Sequence, residues 1–279
     1  MKQIIKAMNW KGKLIGYPEE DSYKIDKGVI AVADGVTRDP MEYLPNLKSI
    51  FGKLKFALNY PKPSPAKMAA DIYTNSFVSV LKGFTNINQE AIKEGFTEAN
   101  RNIKEWNDKN IPEINYTTKD FAGCVGSGVA FKDGVVYWGY ISDCGIAIFK
   151  ENGDLKFRTE NIGPEKYDKY IWQDKRLQTI GWDNPEVRKI IRRDYRNNPK
   201  EDNSFGVLTG EEQALGYVQT GEHEIDPKDY VLVYSDGLEH TIFSKECANK
   251  LKQKDFRGLE NLCKKQVATE GTLIITGGI

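Results

Sequence analysis

Residues 126–159 read GSGVAFKDGVVYWGYISDCGIAIFKENGDLKFRT. Four runs rich in β-branched and aromatic residues stand out: GSGVAF (126–131), VVYWGYI (135–141), GIAIFK (145–150) and LKFRT (155–159). They are parted by the turn clusters Lys132-Asp133-Gly134, Asp143-Cys144-Gly145 and Glu151-Asn152-Gly153-Asp154. Parallel neighbours need a crossover of a dozen or more residues, whereas antiparallel ones need only a tight turn. The stretch therefore predicts an antiparallel meander and not a series of βαβ units.

Upstream, KGVIAVA (27–33) is a short apolar run closed by Asp34-Gly35, and it reads as a buried strand after the strand-like SYKI (22–25). Ser64-Pro65 is a helix start, an N-cap residue followed by proline at the first helical position. Asn88 opens a second helix, with Ala91, Ile92, Phe96, Ala99, Ile103 and Trp106 on one face. Downstream, residues 161–204 are polar, carry Trp172, Trp182 and a basic run (188–196), and read as an irregular surface insertion or flap. Sheet texture returns at 214–220 and at 230–234, the latter ending in Ser235-Asp236-Gly237. One or two short helices at about 244–265 and a last strand at 272–276 complete the pattern. The expectation is one α+β domain over 1–279, an antiparallel β-sandwich flanked by helices, with the flap at about 161–204.

Lys plus Arg equals Asp plus Glu at 40 each, so no overall field draws the chain to nucleic acid or to anionic lipid. Cys124, Cys144, Cys247 and Cys263 are widely spaced, which argues against a zinc site and a disulfide framework and for buried, reduced thiols. No apolar run suits a signal peptide or the roughly 20 residues of a membrane span. These features predict a cytoplasmic protein.

Acidic residues recur at strand ends: Glu20-Asp21, Asp34, Asp143, Asp236 and Glu270. Strand ends of a sandwich converge on one rim, so acids far apart in the chain can meet there. Gathered carboxylates repel one another unless cations neutralise them, and an all-oxygen ligand set selects magnesium, manganese or calcium over zinc. Taken singly, each Asp-Gly pair is only a common turn signal.

In order, Glu20-Asp21, AVADGV (31–36), two helices, GYISDCGIAIF (139–149), DYVLVYSDGL (229–238) and TEGTLIIT (269–276) resemble the metal-dependent protein phosphatases of the 2C type, over nearly the whole chain. The resemblance implies a four-layer αββα sandwich. It also implies hydrolysis of phosphoserine or phosphothreonine in a protein substrate by a metal-activated water. Two Mn2+ or Mg2+ ions would be held, with Asp34 bridging them and the Gly35 carbonyl on one. Glu20 and Asp21 would hold waters or ligate directly, and Asp236 would ligate the second ion. Glu270 stands where the family has its closing Asp, and Asp143 where some members build a third site. Two cations about 3.5–4 Å apart share a water, lower its pKa and stabilise the phosphoryl oxygens. A monomer acting on phosphoprotein, without nucleic acid or membrane, is the expected state.

The chain also departs from the family. The closing Asp-Asn is Glu270-Gly271, and the Gly-Asp-Ser turn is Ser142-Asp143-Cys144. Val36 replaces a general-acid His, and no Arg lies just ahead of Glu20, where Lys13 is the nearest upstream cation. Arg38 is the substitute candidate for binding the phosphate. These changes make an inactive pseudophosphatase, serving as a phosphoprotein-binding module, the alternative. His240 and His223 receive no role. The basic run Lys189, Arg192, Arg193, Arg196 reads as a solvated face.

Overall fold

The computed structural model describes residues 2–9, 13, 18–36, 49–181, 184 and 186–277. Its ten strands form two antiparallel five-stranded sheets. One sheet has the order β2 (Ser22–Asp26), β3 (Val29–Asp34), β4 (Val125–Lys132), β5 (Val135–Ile141), β8 (Gln219–Glu224). The other runs β1 (Lys2–Met8), β10 (Glu270–Gly277), β9 (Tyr230–Tyr234), β6 (Gly145–Phe149), β7 (Leu155–Arg158). The meander is there as its turns predict, except that β5 and β6 belong to different sheets. The turn at Asp143 is thus the crossing from one sheet to the other.

Alternation along each strand builds three cores. Ile30 and Val32 of β3, Ile146 and Ile148 of β6, Val231 and Val233 of β9 and Ile274 of β10 fill the space between the sheets. The alternate residues Val29, Ala31 and Ala33 turn to the opposite face, against α2 (Pro65–Gly83) and α3 (Gln89–Asn110), which follow α1 (Ile50–Asn59). On the other side Leu232, Tyr234, Leu273 and Ile275 pack against two C-terminal helices, Lys245–Lys252 and Phe256–Gln266. Because both faces of each sheet are covered, the central strands read as unbroken apolar runs. The result is the αββα sandwich the sequence predicts.

Both long helices start where expected. Ser64 Oγ accepts the Lys67 N–H at 3.0 Å, and Asn88 Oδ1 accepts the Ala91 N–H at 2.9 Å. Tyr73, Phe77 and Phe96 pack as a trio of tilted and edge-to-face rings with centroids 5.2–5.7 Å apart. The glycines of β4 make room for them: a Cβ on Gly126 would lie 2.6 Å from the Tyr73 ring and one on Gly128 would lie 2.4 Å from Phe77. Large helix aromatics over a strand without side chains bring helix and sheet close.

Four features differ from the sequence reading. Residues 212–217 are a 3-10 turn, with β8 starting later at Gln219, and this puts His223 in a strand, stacked on Phe157 at 5.1 Å. The alternation of small and large residues in EQALGY imitates a strand but winds as a turn. Residues 161–204 are not irregular: α4 (Pro164–Ile171), α5 (Lys175–Ile180) and α6 (Glu186–Ile190) are followed by a π turn at Ile191–Tyr195. Their Ile171, Leu177, Val187, Ile190 and Tyr195 bury into the same core as α2 and α3. The strand β1 and the helix α1 were not foreseen. All four cysteines are free and buried, as expected. Among the described residues no helix is long and apolar enough to cross a membrane.

Candidate functional site

Five acidic side chains come together at the rim where the two sheets part. Asp21 precedes β2, Asp34 ends β3, Asp143 occupies the β5–β6 crossing, Asp236 follows β9 and Glu270 begins β10. Burial and then the charges of Asp21, Asp236, Asp143 and Glu270 push the Asp34 carboxyl well above its usual range. Charges act on one another this way only at short range, because water and salt screen the rest. Asp21 is raised to about 7 by burial and by Glu270, and Asp143 to about 7 by burial and by Asp236. The site grades from floor to rim: Asp21 is buried, Asp34 and Asp143 are partly so, and Asp236 is exposed.

Hydrogen bonds hold this rim together across the sheets. Ser235 Oγ donates to Asp21 Oδ2 at 2.8 Å and accepts the Thr272 N–H at 2.9 Å, linking the segment before β2 to β9 and β10. The Glu270 carboxylate accepts the Glu20 N–H at 2.8 Å and the Asp21 N–H at 3.0 Å. Glu270, expected as an ion ligand, therefore also fixes the backbone of the Glu20-Asp21 pair. Glu20 points elsewhere: its buried Oε1 accepts the hydroxyls of Tyr60 at 2.8 Å and Ser64 at 2.6 Å, pinning the start of α2.

The glycines of the two Asp-Gly pairs are required by close approach, since neither has a positive φ. A Cβ on Gly35 would lie 2.7 Å from the Ala66 carbonyl, and one on Gly237 only 1.7 Å from the Glu270 carbonyl oxygen. Asp34 and Asp236 are thus seated by backbone packed against α2 and against β10. Ser142, standing where the resemblance has glycine, takes φ 68°, a region a non-glycine residue rarely adopts. That backbone presents Asp143, whose Oδ1 is buried and finds no hydrogen-bond partner among the described residues.

Arg38 lies outside the described residues. His240 sits on a short helix, Glu239–Ile242, and is exposed. The basic run divides. Arg193 is exposed, but Arg192 and Arg196 are drawn inward onto Asp120, which is wholly buried. Arg196 grips both oxygens of Asp120 at 2.8 and 2.7 Å, and Arg192 Nε lies 3.1 Å from it. The solvated-face reading is wrong for these two. Arg192 lies in the π turn and Arg196 just after it in extended backbone, so helical spacing does not announce the pair, and Asp120 in its loop gave no signal either.

Among the described residues no three His, Cys, Asp or Glu side chains close a metal cage by themselves. The carboxylates instead cluster, with Asp143 Oδ1 unpartnered among the described residues and Asp21, Asp34, Asp143 and Glu270 all held above the usual acid range. Such a set fits hard divalent cations that keep several waters. It also sets the pH response of the ion-free protein. The folded state keeps protons on Asp21 and Asp143, both at about 7, that the unfolded chain releases near 3.8. Stability from these groups is therefore full below about pH 4 and is lost as pH rises through about 7. In a chelator the melting temperature should climb from about pH 8 to about 5.5, and millimolar manganese should flatten or reverse that slope in scanning fluorimetry.

No family model matches the sequence, and no curated protein matches it. Solved structures do resemble the fold. The catalytic domain of the serine/threonine protein phosphatase PstP in complex with two manganese ions superposes at TM-score 0.61 and 13% identity, covering 99% of this chain and 96% of that one. The Mycobacterium smegmatis PPM Ser-Thr phosphatase MsPP, in complex with cacodylate, gives 0.56 and 13%, covering 99% and 97%. A serine/threonine phosphatase of S. agalactiae gives 0.58 and 14%, covering 99% and 98%. The fold is that of the 2C-type phosphatases.

Proposed function

We propose that this chain is a metal-dependent protein phosphatase that hydrolyses phosphoserine or phosphothreonine. The observation that carries the reading is the meeting of Asp21, Asp34, Asp143 and Asp236, from both sheets, the first three strongly perturbed by burial and by their neighbours' charge. Strong perturbation of clustered acids in an open site is the mark of a functional centre.

Asp34 and Asp236 would hold two Mn2+ or Mg2+ ions, with the Gly35 carbonyl and Asp21 completing the set and Asp143 with Asp236 able to take a third. When bound, the cations supply a water of lowered pKa and positive charge against the phosphoryl oxygens. The protein's own residues do the positioning. Glu270 fixes the Glu20-Asp21 backbone, Ser235 orients Asp21, and Gly35 and Gly237 allow the close packing that aims the two central carboxylates. Val36 has no proton to donate and takes no part in protonating the leaving group. The free, buried cysteines fit a reducing compartment such as the cytoplasm.

The test is manganese-dependent release of phosphate from a phosphothreonine peptide and of p-nitrophenol from p-nitrophenyl phosphate. Turnover that chelator abolishes supports the reading. Binding of the phosphopeptide with no turnover in any divalent cation would make the protein a phosphoprotein-binding module instead.

A further inference from the structure

Two of the clustered acids sit where the sheet no longer holds them. The ladder between β6 and β9 ends at the pair Gly145–Tyr234, and Asp143 and Asp236 lie just beyond that pair, on the turns that enter β6 and leave β9. Burial and the charge of Asp236 raise Asp143, and Glu239 adds a further push. Carboxylates that repel one another spread apart unless some other contact sets their spacing.

That contact comes from the chain between β7 and α4. Leaving β7, it runs back over the turn of Asp143. The Ile162 N–H donates to the Ser142 carbonyl at 3.0 Å, and a Cβ on Gly163 would lie 2.9 Å from the Asp143 side chain. This strap therefore rests on the residues that present Asp143. Its Asn161 side chain is used at both ends. Oδ1 accepts the Gly163 N–H at 2.9 Å, closing a tight turn ahead of α4. Nδ2 donates to Glu239 Oε2 at 2.9 Å, across 78 residues of sequence. Glu239 opens the short helix that follows the Asp236-Gly237 turn. A side-chain amide carries both an acceptor and a donor, which is what this place demands. One hydrogen-bonded side chain thus ties the strap on Asp143 to the segment that carries Asp236.

We propose that Asn161 is a positioning residue of the ion site: by joining the Gly163 turn to Glu239 it holds the turns of Asp143 and Asp236 together so that both acids can serve one cation. The proposal rests on the phosphatase reading.

The experiment titrates the full chain with manganese alone, reading free ion by electron paramagnetic resonance and heat by calorimetry. Asn161→Ala should weaken the affected manganese site by about tenfold, the loss typical of a partner that orients ligands from behind. Glu239→Ala and Glu239→Gln both remove the charge, but only the glutamine keeps an oxygen for the Asn161 amide. The alanine should weaken the site as Asn161→Ala does, and the glutamine should stay within about twofold of the parent. Combining Asn161→Ala with Glu239→Ala should cost no more than either alone, because both remove the same bond. A residue that only supports the fold would lower the melting temperature in chelator and leave manganese affinity unmoved, and that result would overturn the proposal. Losses that add, or equal losses in Glu239→Ala and Glu239→Gln, would overturn it too. If Asn161→Ala fails to fold, the two Glu239 variants decide the matter. A parent that binds manganese with these expected losses, yet releases no phosphate from phosphopeptide, would sink the phosphatase reading and leave the brace standing.

Discussion

Asp34→Asn should reduce manganese-dependent phosphate release by about 10³-fold or more, because it removes the carboxylate that the other acids surround and with it several kcal/mol of transition-state stabilisation. The same change should raise the stability of the ion-free protein. Asp34 is held well above the usual acid range by burial and by four neighbouring acids, so replacing it with a neutral isostere relieves repulsion in the folded state. Opposite movements of activity and of ion-free melting temperature separate a functional cluster from a structural one. Loss of both, in a variant with an altered far-ultraviolet spectrum, would mean that Asp34 serves the fold. Retained turnover would remove it from the chemistry.

Asp120→Asn should destabilise the protein by about 3–5 kcal/mol, lowering the urea midpoint by about 1–2 M. The carboxylate is 0% exposed and faces two guanidiniums, Arg196 buried and Arg192 mostly so. Removing its charge takes from two poorly solvated cations the carboxylate that both of them contact, and removing one partner of such a set costs far more than the set contributes. These contacts join the helices of 161–204 to the loop before β4. A change below about 1 kcal/mol would show that the apolar contacts of Ile171, Leu177, Val187 and Ile190 hold this region without the ions.

The layers and most elements were legible because they depend on local patterns. Turn residues at fixed offsets exposed the meander, and Ser64-Pro65 and Asn88 marked the helix starts through a side chain that caps its own helix. Acids at strand ends pointed to the rim because strand ends must converge somewhere. What escaped depends on contacts remote in sequence. Asp120 meets Arg196 across 76 residues, and nothing around either announces the other. Glu270 could be seen as a replacement for an aspartate, but not that its carboxylate would hold the Glu20 and Asp21 N–H groups 250 residues away. Among the described residues β1 is an edge strand paired with β10 alone, and its alternation is too weak to read from the sequence. Ser142 was visible as a departure, while the positive φ that makes glycine the natural residue there emerges only from the backbone.

The most direct trial is a crystal structure grown with manganese and phased on the metal's anomalous signal. The account predicts at least two anomalous peaks at the sheet rim, one between Asp34 and Asp236 and each within coordination distance of an Asp34 oxygen. Manganese found only elsewhere on the surface, or Asp34 and Asp236 turned away from each other with protein between them, would contradict it.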